Sequence, residues 1–130
     1  MYLFVYGTLK KGHGNHRVLG DAEYIGDAEL WGYRMFTLGG FPGISPSEGK
    51  SFSVVIGEVY KIEDRHLPNL DGLEGYYPEN HSGMYLREKV NIHYKHDDNR
   101  DEETEVFVYV WNRDVPPEDS DRWIKDGVWR

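Results

Sequence analysis

The sequence predicts a single domain that combines several β-strands with two short helices. A chain of 130 residues suits one domain and leaves little room for a second core. Short runs rich in Val, Ile, Tyr and Phe are separated by glycine and proline, which is typical of strands joined by turns. The clearest helix start and stop signals enclose residues 16–19 and 64–74.

The composition excludes several classes of function. A formal charge of −8 argues against nucleic acid and anionic membrane surfaces, because both partners require clustered Lys and Arg. The absence of cysteine excludes disulfides, thiolate nucleophiles and zinc sites built from Cys. No apolar run reaches the length of a membrane span, and residues 1–5 lack the basic lead-in of a signal peptide. We therefore expect a cytoplasmic protein.

The first strand runs into a glycine-rich loop. Residues 2–6 form a compact apolar run, which predicts a strand covered on both faces. Residues 7–15 contain three glycines, so this backbone can approach a ligand, and its free N–H groups can hold a carboxylate or an oxyanion. A plain turn is the alternative. We reject a nucleotide phosphate loop, because His13 stands where that motif requires Lys.

Further strands are predicted from β-rich runs at 22–25, 28–38, 54–62, 84–94 and 106–111. Gly26 and Gly32 mark turns or bulges in them. Residues 39–46 are punctuated by glycine and proline and predict a rigid loop. Phe41 and Ile44 are apolar residues within that loop, so each either lines a site or plugs the core.

The second half of the chain carries no metal or serine-nucleophile signature. Residues 96–105 are dense in charge and predict a solvated hairpin tip, because the central glycine of a calcium-binding loop is missing. The six histidines form no convergent set of ligands, and no Gly-x-Ser-x-Gly elbow occurs. Residues 120–125 predict a helical turn, and the aromatic tail around Trp123 and Trp129 is expected to dock on the body.

Two short helices are predicted from capping signals. Asn15 is a candidate N-cap for residues 16–19. Asp64 is a candidate N-cap for a second helix that ends at Glu74, and Pro68 suits its first turn, where a missing N–H costs least.

Glu74 closes the second helix in an unusual setting. Gly75 supplies the left-handed position that commonly ends a helix, and Pro78 bars continuation. A carboxylate in the last turn meets unpaired carbonyl groups and the negative end of the helix dipole. Its pKa is expected to rise, most strongly if apolar neighbours desolvate it. Glu74 is therefore either poised for proton transfer or a solvated residue that merely ends a helix.

Two motifs, taken together, resemble a known family. They are Phe4-Val5-Tyr6-Gly7-Thr8-Leu9-Lys10-Lys11-Gly12 and Leu70-Asp71-Gly72-Leu73-Glu74-Gly75, the second followed by Tyr85-Leu86-Arg87. This pair resembles the gamma-glutamylcyclotransferase-like family, especially its small bacterial branch and the gamma-glutamylamine cyclotransferases, over nearly the whole chain. The resemblance implies an α+β fold with a mixed, strongly curved or barrel-like sheet and two short flanking helices.

The resemblance also implies a reaction that needs no cofactor and no metal. The α-amine of a gamma-glutamyl group attacks its own side-chain amide carbonyl, which yields 5-oxoproline and a free amine or amino acid. Glu74 matches the family's catalytic glutamate and would carry the proton. The segment Tyr6-Gly7-Thr8-Leu9 would face it across a cavity, with the N–H groups of Gly7, Thr8 and Leu9 as donors to the substrate. Tyr85 and Arg87 match the family's Tyr-x-Arg element, and Arg87 either holds a carboxylate or braces the fold.

Asp71 and Tyr109 are assigned structural roles. Asp71 lies one turn before Glu74 and is expected to be a helix-surface or bracing residue. Tyr109 either lines the cavity or is a core tyrosine, and its place in a strand favours the core. Two other functions compete with catalysis. One is a module that binds a small carboxylate-bearing amine in the same cavity without turnover. The other is an interaction protein whose aromatic tail and acidic loop meet a partner chain. The expected partner is a small gamma-glutamyl compound, with the leaving amine and the oligomeric state left open.

Overall fold

The computed structural model describes residues 1–48, 53–77, 82–95 and 103–130. Its strands are β1 (Tyr2–Val5), β2 (Glu23–Trp31), β3 (Tyr33–Thr37), β4 (Pro42–Pro46), β5 (Val54–Lys61), β6 (Tyr85–Tyr94), β7 (Glu103–Trp111) and β8 (Trp123–Ile124). Its helices are a 3-10 helix at His16–Leu19, a second at Asp64–His66, and α1 (Leu67–Glu74), which continues directly from the second.

Five strands close into a barrel in the order β1-β5-β2-β6-β7. All neighbouring pairs are antiparallel except β1 and β7, which run parallel with Leu3 opposite Phe107. The sheet is therefore mixed and closed, and the expected α+β fold with a barrel-like sheet and short flanking helices is confirmed. Gly26 lies at the register shift in β2, and Gly32 forms the turn after it with φ of 83°.

A second sheet was not predicted. It has three strands in the order β4-β3-β8. The prediction of a loop at 39–46 was wrong, since Pro42–Pro46 pairs with β3. The prediction of a helical turn at 120–125 was also wrong, since Trp123–Ile124 pairs with the other side of β3. The reason is tertiary: β3 offers ladder hydrogen bonds on both sides, and these outweigh the local turn signals.

Two apolar clusters cover the two faces of β1. Phe4 joins a cluster with buried side chains from all five barrel strands, which fills the barrel. Leu3 and Val5 join a cluster that reaches Leu19 and Leu70 on the helices. Trp129 packs on the first cluster, so the expected docking of the tail is confirmed. The prediction that β1 is covered on both faces is confirmed as well. The loop that follows β1 lies beside the end of α1.

The N-terminal caps of the helices differ from the prediction. Asn15 makes no capping bond, because its Nδ2 donates instead to Thr8 Oγ1 at 3.0 Å. Glu63, not Asp64, precedes the second helical segment, and its N–H donates to His66 Nδ1 at 2.9 Å. The stop was predicted correctly, since Gly75 ends α1 with φ of 62°. Of the predicted hairpin tip, residues 96–102 lie outside the described residues, and Glu103 already belongs to β7.

Candidate active site

A cavity of about 270 Å³ opens where β1 ends, beside the last turn of α1. Its walls come from five parts of the chain and are lined by Phe4, Val5, Tyr6, Gly7, Thr8, Leu9 and Asn15, by Gly40, Phe41 and Pro42, by Leu73 and Glu74, by Met84 and Tyr85, and by Tyr109. Pockets for drug-sized ligands begin near about 300 Å³. The cavity therefore suits a smaller molecule.

The loop after β1 presents three backbone N–H groups without a protein acceptor. Lys10 N–H donates to Gly7 O at 3.1 Å and Asn15 N–H donates to Thr8 O at 3.0 Å, so the loop is a closed turn. Across the described residues, no acceptor is paired with the N–H of Gly7, Thr8 or Leu9. Successive free N–H groups in a turn form a site for an anion or a developing oxyanion.

Glycine is required at position 7 because another loop packs against it. A Cβ there would lie 2.6 Å from Pro42 Cγ and 2.8 Å from Pro42 Cδ, on a ring that has little freedom to move. Pro42 is held in turn, because its carbonyl accepts a 2.6 Å hydrogen bond from the buried Tyr85 hydroxyl. The glycine loop, the start of β4 and the start of β6 therefore form one rigid wall.

Glu74 is the last residue of α1, and its carboxyl lines the cavity. Burial raises the pKa of this carboxyl from 4.5 to about 7, because the charged form loses hydration. The expected rise is present, with burial as its cause. Two carbonyls of the last turn accept hydrogen bonds, since Tyr76 N–H donates to Asp71 O and Gly75 N–H donates to Gly72 O.

Three tyrosine hydroxyls surround the cavity, and each donates its proton to another group. Tyr6 donates to Tyr109 O, Tyr85 to Pro42 O and Tyr109 to Asp71 Oδ1, each at 2.6 Å. Burial, with a further contribution from the Glu74 charge, raises the pKa of all three, so they stay neutral. In the described part of the molecule, no donor is bonded to the Glu74 carboxyl, which accords with its raised pKa.

The structure brings together most of the residues that the sequence singled out. Glu74, Tyr85 and the segment 6–9 all line the cavity. Tyr109 belongs to an apolar core cluster and also lines the cavity, so both places considered for it apply. Arg87 does not line it. Its Nη1 lies 2.8 Å from both carboxylate oxygens of Asp71, with the two side chains 17% and 13% exposed. Of the two roles left open for Arg87, these contacts support bracing the fold, with Asp71 as its partner. Its place among the substrate-binding residues has no support in the cavity lining.

Asn15, Pro42 and Met84 reach the cavity without having been assigned to it. The sequence did carry a signal for Phe41, an apolar residue in an apparent loop, which lines the cavity, whereas Ile44 is fully buried in the core. Among the described residues, no three acidic or histidine side chains are grouped to hold a metal. Likewise, no helix in the described part is long and apolar enough to cross a membrane.

Proteins of known family resemble this chain over nearly its whole length. A family model for gamma-glutamyl cyclotransferase, AIG2-like, matches residues 3–130. The gamma-glutamylcyclotransferase family protein YtfP of Escherichia coli is 31% identical over 129 residues, which is 99% of this chain and 96% of YtfP. The gamma-L-glutamyl-butirosin B gamma-glutamyl cyclotransferase of Niallia circulans is 30% identical over 115 residues, covering 86% of this chain and 67% of that protein. A solved gamma-glutamyl cyclotransferase structure shares the fold with a TM-score of 0.66 at 22% identity, over 86% of this chain and 66% of that one.

Proposed function

This chain belongs to the gamma-glutamyl cyclotransferase, AIG2-like family, and on that premise we propose that it converts a gamma-glutamyl amine or dipeptide into 5-oxoproline and a free amine or amino acid. The substrate's α-amine attacks the γ-carbonyl carbon, a five-membered ring closes, and the bond to the leaving nitrogen breaks. Because attack is intramolecular, a pocket that folds the glutamyl chain back on itself removes much of the barrier.

Glu74 carries the proton in this reaction. The α-amine is protonated at neutral pH and becomes a nucleophile only after a base removes its proton. A carboxyl with a pKa of about 7 is partly ionised at that pH, so it can accept the proton and then return it to the leaving nitrogen. The attacking nitrogen loses two protons in all, because an ammonium group becomes a lactam N–H. Glu74 passes them one after the other to the leaving nitrogen, which departs as an ammonium group, and Glu74 ends in its starting state.

The free N–H groups of Gly7, Thr8 and Leu9 stabilise negative charge on the substrate. Negative charge develops on the γ-carbonyl oxygen when the ring closes, and preorganised donors stabilise it without reorganisation. The substrate also brings an α-carboxylate, and the described residues lining the cavity include no Lys, Arg or His to pair with it. Backbone donors of this turn therefore serve the carboxylate, the oxyanion or both.

One observation carries the proposal: a carboxyl with a pKa near neutrality lines the same cavity as unpaired backbone donors. The test measures 5-oxoproline release from a panel of gamma-glutamyl amides and dipeptides by the parent chain and by Glu74→Gln, which keeps the size and removes the base. We expect release by the parent and a loss of at least about 100-fold in the variant.

A matched control is Glu23→Gln, the same chemical change on an exposed residue of β2. It should leave the release rate unchanged. Equal rates in Glu74→Gln and the parent would remove Glu74 from the mechanism. If the parent consumes none of the gamma-glutamyl compounds but its melting temperature rises when they are added, the cavity belongs to a binding module instead.

A further inference from the structure

A second cavity, of about 200 Å³, lies where the three-stranded sheet meets the start of β5. Its walls include Arg34 and Met35 of β3, Ser53 before β5, and Trp123, Ile124 and Lys125 at β8. We call it the β3–β8 pocket. Of the residues that the structure describes, none lines both this pocket and the cavity beside Glu74. Pockets for drug-sized ligands begin near about 300 Å³, so this one suits a small molecule.

Backbone contacts hold the walls of the β3–β8 pocket in place. Gly32 N–H donates to Ser53 O at 2.9 Å, which ties the turn before β3 to the residue before β5. Ile56 N–H donates to Gly127 O at 2.9 Å, which ties the segment after β8 to β5. A Cβ on Gly127 would collide with Val54 O, so these two backbones are in direct contact. The pocket is therefore preformed.

The Arg34 guanidinium is held in a fixed plane and keeps one edge unpaired. Its Cζ lies 3.7 Å from the centroid of the Trp123 ring, and that ring is fixed by a 2.9 Å hydrogen bond from Nε1–H to Pro117 O. Arg34 Nη1 donates to Glu118 Oε1 at 2.9 Å, whereas its Nε and Nη2 groups have no acceptor among the described residues. Nε and Nη2 form one edge of the guanidinium, and such an edge donates two parallel hydrogen bonds to a carboxylate.

Two further polar groups of the pocket are unpaired within the described part of the chain. Ser53 Oγ is buried without a hydrogen-bond partner, and Lys125 Nζ has no acceptor. The described residues that line the pocket include no Asp or Glu. Glu118 compensates Arg34, so the charge of Lys125 is left over, in a chain whose net charge is −8. A buried unpaired hydroxyl and an uncompensated cation both favour binding of an anion.

We propose that the β3–β8 pocket is a binding site for a small organic monocarboxylate. The carboxylate accepts two hydrogen bonds from the Arg34 edge and lies near the charge of Lys125. Its apolar body packs against Met35 and Ile124. A phosphate group fits less well, because it brings a charge of about −2 to one uncompensated cation and has no apolar body. This site does not depend on the proposed cyclotransferase function.

The first test is a calorimetric titration of the parent chain with sodium benzoate, a monocarboxylate with an apolar body. We expect saturable binding. Benzamide keeps the shape without the charge and acetate keeps the charge without the ring, so each should bind at least about tenfold more weakly. Inorganic phosphate should also bind more weakly than benzoate. Absence of saturable benzoate binding, equal binding of benzamide, or tighter binding of phosphate overturns the proposal.

The second test changes Arg34. Arg34→Gln removes the charge and the edge of two donors, and Arg34→Lys keeps the charge without that edge. Benzoate binding should weaken in both variants, by at least about tenfold in Arg34→Gln. Arg17→Gln is the matched control, because Arg17 is exposed and lines neither cavity. Circular dichroism verifies folding. If Arg34→Gln binds benzoate as the parent does, benzoate binds elsewhere and the proposal fails.

Lys125→Gln extends the test to an exposed side chain, whose loss leaves the fold intact. Because exposed charges interact weakly, the affinity for benzoate should fall about two- to fivefold. Lys61→Gln is the matched control, since Lys61 is exposed at the end of β5 and lines neither cavity. Equal affinities in these two variants contradict the proposed site.

Release of 5-oxoproline separates this site from the cavity beside Glu74. Arg34 does not line that cavity, so Arg34→Gln should release 5-oxoproline at the parent's rate. Benzoate binding that depends on Arg34 supports the site even if the parent shows no turnover, in which case the cyclotransferase function fails alone. A release rate that falls together with benzoate affinity would mean that the two cavities are not independent and would overturn a separate site.

Discussion

The Asp71 carboxylate on α1 accepts hydrogen bonds of 2.8 Å at both oxygens from Nη1 of Arg87 on β6. The same carboxylate accepts a 2.6 Å hydrogen bond from the Tyr109 hydroxyl on β7. Asp71 lies one turn before Glu74, so these bonds tie the last turn of α1 to two barrel strands. A helix of eight residues has little stability of its own, and this anchoring holds Glu74 against the cavity.

Asp71→Asn is therefore expected to destabilise the protein. The substitution keeps the size but leaves Arg87 partly buried without its counter-charge, and the free energy of unfolding should fall by about 2–3 kcal/mol. Urea denaturation measures the change. Asp126→Asn is the control, because Asp126 pairs with Arg130 on the surface, where both side chains are more than half exposed. It should unfold at the parent's midpoint, and an equally stable Asp71→Asn would contradict the anchoring role.

The rate should depend on pH through Glu74. Only the ionised carboxyl can accept the proton of the substrate amine, and burial raises its pKa to about 7. We expect kcat/KM to rise as the pH increases, with a midpoint near pH 7, measured as 5-oxoproline release between pH 5 and 9. A rate that is nearly constant from pH 5 to pH 9 would mean that Glu74 keeps the ordinary carboxyl pKa of 4.5 and is hydrated.

The stability of the parent should fall over the same pH range. The pKa of Glu74 is about 7 in the folded protein and 4.5 for an unperturbed glutamate, which stands for the unfolded chain. Between pH 4.5 and pH 7 the folded state therefore binds more protons than the unfolded chain. The free energy of unfolding then decreases with rising pH, and above pH 7 the contribution of up to about 3 kcal/mol is lost. Glu74→Gln lacks this titration.

Urea denaturation at pH 5 and pH 9 measures the difference between parent and variant. Glu74→Gln should gain on the parent as the pH rises, because only the parent then carries a buried charge. Glu23→Gln should show the parent's pH dependence. A constant difference between Glu74→Gln and the parent at the two pH values would contradict the raised pKa.

The elements that local signals define were predictable from the sequence. Gly75 ended α1 at the predicted residue, because glycine adopts the left-handed conformation at no steric cost. In that conformation its N–H donates to carbonyl groups of the last turn. Four of the five barrel strands followed from β-rich runs, with ends shifted by a few residues. β2 did not, because it runs unbroken through the predicted gap at residues 26–27 and ends at Trp31, inside the strand predicted at 28–38. These local signals alone also place Glu74 at a helix terminus, where the structure has it.

Features that depend on distant partners were not predictable. β4 and β8 became strands only because β3 pairs with both, although their own sequences indicate a loop and a turn. Whether Arg87 held a ligand or braced the fold depended on Asp71, which lies 16 residues away along the chain and on another element. Met84 reached the cavity for the same reason, since its place is set by the hydrogen bond to Gly75.

Gly7→Ala tests the donor turn itself. The added methyl group would lie 2.6 Å from Pro42 Cγ, so the turn must shift away from β4 and misplace its N–H groups. Misplacement by about 1 Å costs on the order of 100-fold in rate, and we expect kcat/KM for 5-oxoproline release to fall by that factor. Gly14→Ala is the matched control in the same loop, because its Cβ would meet nothing within 4 Å. If both variants kept the parent's rate, the N–H groups of this turn would have no part in the reaction.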